Sequence, residues 1–164
     1  MEQTMTDKCK WVATARKYIG QAEVHGPKHN PLILEMWCDI KRSGIKDDET
    51  PWCAAFVGSV LEQSGIRSTR FESARSYLEW GFELEKAAYG CIAVLTRDGG
   101  GHVGSVVGQN DAGDLMILGG NQSNAVNIKA FSPHRVASYR WPHGQSCDPQ
   151  SLLVLTAEHS TSEG

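Results

Sequence analysis

Residues 91–120, "CIAVLTRDGGGHVGSVVGQNDAGDLMILGG", decide the fold. "CIAVLT" is a short apolar run, "RDGGG" a turn, "HVGSVVGQ" an alternating stretch, "NDAGD" a second turn and "LMILGG" a third strand, which together read as antiparallel β-structure. Weaker strand patterns follow at "AVNIKAF" (125–131) and "VASYRWP" (136–142), giving an expected antiparallel meander of about five strands. Upstream of residue 91 the period is helical. Trp11, Val12, Ala15, Tyr18 and Ile19 recur at helical spacing over 7–19, with Gly20 as a stop. Leu32, Ile33, Met36, Trp37 and Ile40 line one side of a helix over 31–43 that ends before Gly44. Between them "QAEVHGPKHNP" is a loop by its Gly, Pro and Asn content. Helices first and strands second is the segregated order of an α+β fold.

A third helix lies in "DDETPWCAAFVGSVLEQSG", residues 47–65, with Thr50 as N-cap, Pro51 at the first helical position and Gly65 closing the far end. Phe56, Val57, Val60 and Leu61 form its apolar stripe, so this helix is central to the core. A short fourth helix, "SARSYLEWG", starts at Ser73 and stops at Gly81.

The 164 residues, 40% hydrophobic and 21% charged, suit one domain, which at this size buries roughly 70% of its unfolded-state surface without metal or disulfide staples. The expected division is a single domain over 1–142 and a partly ordered extension over 143–164, polar apart from "LLVL". A net charge of −3, with lysines and arginines scattered rather than striped, disfavours a nucleic-acid partner. No apolar run has the length of a membrane span and "MEQTMTDKCKWVATARKY" lacks a secretory apolar region, so cytoplasmic synthesis without a signal peptide, no membrane insertion and a monomer are expected.

Five cysteines (Cys9, Cys38, Cys53, Cys91, Cys147) are far apart with no C-x-x-C pair, so no zinc knuckle or redox motif is readable. Cys53 differs from the rest. In the first turn of the third helix, unpaired backbone N–H groups and the positive end of the helix dipole favour a thiolate. Asp47, Asp48 and Glu49 just upstream oppose it unless they point away or a cation outweighs them.

An imidazole is the natural cation, and His102 follows three glycines at the start of a strand. A hairpin turning about Asp111–Gly113 sets His102 opposite residues 121–123, where Asn121 falls in "GGNQSN". A side-chain amide there would fix the ring's orientation and tautomer, completing a Cys53–His102–Asn121 constellation for nucleophilic catalysis. Trp52 and Gln122, the chain neighbours of Cys53 and Asn121, are candidates to face the substrate or the oxyanion. Glu23, His25 and His29 in "EVHGPKHN" offer a rival metal site. Glycine and proline between the histidines prevent the one-face helical placement such sites use, so no metal or other cofactor is expected.

"TPWCAAFV", "GGGHVGSVVG", "LGGNQSN" and "YRWP", in that order, resemble the CHAP and NlpC-type cysteine peptidases and amidases, papain-like cell-wall enzymes of phage lysins and secreted antibacterial effectors. The resemblance covers about residues 10–142. It implies a papain-like fold and peptidoglycan amide hydrolysis, with Cys53 as nucleophile, His102 as base and acid, and Asn121 as orienting residue. The bond cut would lie within the stem peptide or join it to muramic acid. It also implies action in the periplasm or cell wall after holin-type release or type VI-like secretion, and an immunity protein as partner if the protein is an effector. Many CHAP enzymes carry a glutamate two residues before the asparagine; this chain has Gly119 there, which leaves Asn121, helped by Gln122, to orient the ring. The alternative reading is a non-catalytic module that binds wall peptides or a protein on the same fold.

Overall fold

The change of period near residue 91 divides the molecule as expected. The computed structural model describes residues 9–25, 28–97 and 100–145. Among the described residues three α-helices come first: α1 (Lys10–Arg16), α2 (Pro31–Asp39) and α3 (Cys53–Gln63), followed by a 3-10 turn over Ala74–Glu79. Six strands follow among the described residues: β1 (Phe82–Leu84), β2 (Ile92–Arg97), β3 (Gly100–Gln109), β4 (Leu115–Gly119), β5 (Asn127–Phe131) and β6 (Val136–Trp141). The architecture is α+β with an all-antiparallel sheet.

Two helices are shorter than their periodicity predicts. α1 ends at Arg16, and the chain then turns through Gly20 at φ +102. α2 begins where Asn30 accepts the Leu32 N–H (2.9 Å) with Pro31 at the first position, and it ends at Asp39 because Lys41, at φ +66, leaves the helical region. The fourth helix is a 3-10 turn, opened by Ser73 accepting the Arg75 N–H.

α3 is buried at every position from Cys53 to Leu61, more than the one-sided stripe requires. It packs against α1, α2, β3 and β4, so neighbours surround it. Small residues permit this closeness: a Cβ at Gly58 would lie 2.5 Å from Ile40 Cγ2.

The sheet order is β1-β6-β2-β3-β4-β5. β2 to β5 form the expected meander, but β6 returns to pair with β2, and β1 pairs with β6 to make a sixth strand. Three residues, Phe82–Leu84, are too short for an alternating pattern to declare itself, which is why β1 escapes a sequence reading. The turn at 110–114 is held by Asn110, whose Oδ1 accepts from the Ala112 N–H (3.0 Å) and the Asp114 N–H (2.9 Å), with Gly113 at φ +88.

The sheet is strongly coiled. Gln109 pairs with Leu115 and Leu115 with Phe131, so in a flat sheet Phe131 would stand level with Gln109, roughly 23 Å along the strand from His102 at about 3.3 Å per residue. Their rings nevertheless stack with centroids 5.5 Å apart. Only a twist that curls β5 back toward the start of β3 reconciles the two.

Among the described residues no helix is long and apolar enough to cross a membrane. Residues 146–164, and with them "LLVL" and Cys147, lie outside the described part of the chain.

Candidate functional site

The start of α3 lies two residues later than the capping signals predict. Asp47 Oδ1 accepts from the backbone N–H of Glu49 (2.9 Å) and Thr50 (2.7 Å), and Oδ2 accepts the Thr50 hydroxyl (3.3 Å). That local turn uses Thr50, which is therefore not the helix cap. Trp52 takes the cap position at φ −119, ψ 20, its carbonyl accepting the first helical bond from Phe56 N–H (2.9 Å). Cys53 is thus the first helical residue rather than the third, still within the turn where the helix dipole acts.

Two members of the acidic triplet, Asp47 and Asp48, are engaged in bonds of their own. Asp48 is 0% exposed and accepts from the N–H of Val24 (2.7 Å) and of Asn30 (2.8 Å), with His29 Nδ1 at 3.1 Å. Burial pushes the Asp48 carboxyl up, but these two N–H groups and the His29 ring outweigh it and hold it below its ordinary value. Asp47 is likewise lowered, chiefly by the Thr50 N–H and hydroxyl.

His102 is 4% exposed on β3, opposite Leu95 of β2. On the other side β3 pairs with β4 as Ser105↔Leu118 and Val106↔Ile117, the register that carries His102 to the level of residue 121. The chain then leaves the ladder: Asn121 is at φ +59, and the side chain that reaches the ring is that of the next residue. Gln122 Oε1 lies 2.9 Å from His102 Nε2, one residue beyond Asn121.

The surroundings of Gln122 settle which way its amide faces. Its Nε2 donates to Ile117 O (3.2 Å), Asn127 O (2.9 Å) and Asn127 Oδ1 (2.9 Å), so Oε1 must be the atom turned to the imidazole. An acceptor there requires the ring to carry a proton on Nε2. Gln122 is the first residue of a tight turn, Gln122 N–H donating to Ala125 O (2.9 Å), with φ +59 at Ser123 and +65 at Asn124, the sign pattern of a type I′ hairpin.

Thiol-bearing turn and imidazole converge on one pair of glycines. A Cβ at Gly120 would lie 2.7 Å from Phe56 Cβ and 2.8 Å from Trp52 Cζ3, the residues flanking Cys53 in the first turn of α3. One at Gly119 would lie 2.5 Å from Gln122 Oε1 and 3.5 Å from His102 Nε2. A side chain at 119 and the Gln122 amide therefore compete for the same space, which accounts for glycine at this position. Gly119→Ala is expected to displace the amide and release the ring from its single tautomer, at a cost of about 1–2 kcal/mol. Long-range proton–nitrogen spectra of His102 check this: a mixture of tautomers is expected, as in Gln122→Ala, and an unchanged spectrum would count against the steric argument.

Trp52, a candidate to face substrate, is instead fully buried, its indole N–H donating to Glu23 Oε2 (2.9 Å). Gln122 is similarly committed on both ends of its amide, to the ring and to the β4–β5 connection. Cys53 is 4% exposed. A cavity of about 210 Å³ opens beside His102, lined also by Asn121, Gln122, Ser123, Lys129, Phe131 and Arg135; Cys53 does not line it.

The segments 20–25 and 28–30 prove to be part of the site's scaffold. Glu23 holds Trp52, Asp48 holds Val24 and Asn30, and backbone bonds from Gly20 N–H to Val126 O (3.0 Å) and Glu23 N–H to Asn124 O (3.0 Å) tie the loop to the Gln122 turn. Turn composition alone carries no signal for these long-range bonds. Of the rival metal set, Glu23 binds Trp52, His29 faces Asp48 and His25 is exposed. No group of three or more His, Cys, Asp or Glu among the described residues could hold a metal ion.

Cys9, Cys38, Cys53 and Cys91 are in no disulfide. The Cys9 thiol is pushed up to about 12 by burial, the inert behaviour of a core cysteine. In comparisons with known proteins, no family model and no curated protein matches this chain.

Proposed function

We propose that this chain is a papain-like thiol hydrolase that cleaves an amide bond of peptidoglycan, acting in the periplasm or cell wall. The observation that carries the reading is the convergence of the Cys53 turn and the His102–Gln122 pair on Gly119 and Gly120. In this mechanism His102 Nδ1 takes the thiol proton and Cys53 sulfur attacks the amide carbonyl. The oxyanion develops near the positive end of α3, where the helix dipole stabilises it. As the C–N bond breaks, the imidazolium gives its proton to the leaving amine. Water then attacks the thioester, His102 again taking the proton, and free carboxylate and thiol are regenerated. Throughout, Gln122 holds the ring by its Nε2–H, with Asn121 at the wall of the adjoining cavity.

Mass spectrometry of purified peptidoglycan incubated with the protein tests the reading. Fragments bearing one new amine and one new carboxylate at the same stem-peptide or muramoyl amide are expected, and alkylation of Cys53 by iodoacetamide should stop their release. Release that survives alkylation and is abolished by a chelator would overturn it. Slight exposure of Cys53, and its absence from the lining of the cavity beside His102, favour a second reading in which the same cavity holds a wall peptide without turnover. Intact peptidoglycan after incubation, with the protein bound to it, is the outcome that reading expects.

A further inference from the structure

The cavity beside His102 has a charge character that the catalytic steps do not use. Its lining holds two cationic side chains, Lys129 and Arg135, and no acidic one. Both are partly buried and already positioned. Arg135 lies over the Phe131 ring, its guanidinium carbon 5.3 Å from the centroid, while its Nε and Nη2 donate to Thr96 O (3.3 Å each). Those bonds use two of five N–H groups, leaving the Nη1 pair and one more for a ligand. Phe131 stacks in turn on His102, so guanidinium, phenyl and imidazole form a continuous pile along one wall. Lys129, two residues before Phe131 on β5, donates from Nζ to Ser123 Oγ in the turn that Gln122 opens.

Two cations fixed over an opening of about 210 Å³, with amide groups of Asn121 and Gln122 lining the same space, match an oxygen anion with a small polar body. We propose that this cavity is a carboxylate subsite: it binds a free carboxyl group of the wall peptide whose neighbouring amide is cut, and thereby selects acidic stem peptides over amidated ones. The inference rests on the reading of the site as a wall hydrolase and adds the substrate class to it. Stacking on Phe131 orients Arg135 before the ligand arrives, so little side-chain entropy is lost on binding.

Calorimetric titration of the folded Cys53→Ala protein with a soluble muropeptide tests this, using one sample with free carboxyl groups and one with the same groups amidated. The free acid is expected to bind at least 10-fold more tightly, an advantage that shrinks with added salt and is lost in Lys129→Gln and in Arg135→Gln. Arg135→Lys, which keeps the charge but not the planar fork, should retain part of it. Thermal melts of each variant identify any that has not folded, and Lys129→Gln alone suffices for the comparison if Arg135→Gln fails. Equal affinity for the two peptides, or binding of neither, overturns the subsite. Failure of the hydrolase reading is separately visible: wall digestion by Cys53→Ala as fast as by wild type would remove the mechanism whatever the titration shows. Cysteine-dependent digestion with equal kcat/KM for free and amidated walls would remove only the subsite.

Discussion

Cys53→Ala is expected to lower the rate of wall-amide cleavage by on the order of 10⁴-fold or more, because removing a nucleophile leaves only binding and electrostatic contributions to catalysis. Its effect on folding should be small by comparison. Alanine differs from cysteine by one sulfur atom, and loss of that atom's packing at a 4% exposed position costs about 1 kcal/mol, a Tm shift of about 2–4 °C for a chain of this size. Two measurements, product release from purified peptidoglycan and a thermal melt, separate lost chemistry from lost structure. Cys9→Ala is the matched control. That thiol is also buried, burial pushes it up to about 12, and its alanine variant should show a comparable melt with activity retained. Equal loss of activity in both variants would mean that core packing, not a nucleophile, had been removed. Full activity in Cys53→Ala would end the thiol mechanism.

Much of the frame that positions these groups is legible in the amino-acid order because local chemistry and tertiary context agree there. The Gly113 turn, with Asn110 bracing it, sets the β3–β4 register, and that register carries His102 to the level of residue 121. Where two local signals compete, the reading slips by a residue or two. Thr50 and Pro51 look like a cap and a first helical position, but Asp47 captures Thr50 in a turn of its own, and α3 begins at Cys53. Asn121 and Gln122 both offer an amide near the imidazole. What brings the second onto the ring is the positive φ at 121 together with three oxygens waiting for the Gln122 NH₂, none of which is encoded next to it in the chain. The stacking of Phe131 on His102 is further from view, since it depends on how far the whole sheet coils. The return of β6 to pair with β2 is equally a property of the assembled sheet, whose second edge must be paired or covered.

Asp48→Ala is expected to destabilise the protein by about 3 kcal/mol, since it leaves the Val24 and Asn30 N–H groups without their acceptor at an interior position. Against a typical total of about 5–15 kcal/mol this is a large fraction. It falls where the site is assembled: the loop that Asp48 anchors also holds Trp52 through Glu23 and the Gln122 turn through Gly20 and Glu23. The ionised carboxylate is the form that accepts these bonds, and its folded-state value lies below its ordinary one. Its contribution is therefore complete above the unfolded-state value of about 3.9 and is lost as pH falls through the lower folded-state value. Urea unfolding between pH 3 and 7 reads this directly. Wild type should lose stability along the acid limb, whereas Asp48→Asn, already neutral, should start lower at pH 7 and fall less steeply on the same limb. Identical slopes for the two proteins would show that the charge of Asp48 does not hold the loop. Stability of Asp48→Ala equal to wild type at pH 7 would show that its hydrogen bonds do not either, and the scaffold of the Cys53 turn would have to be sought in the packing of Trp52 alone.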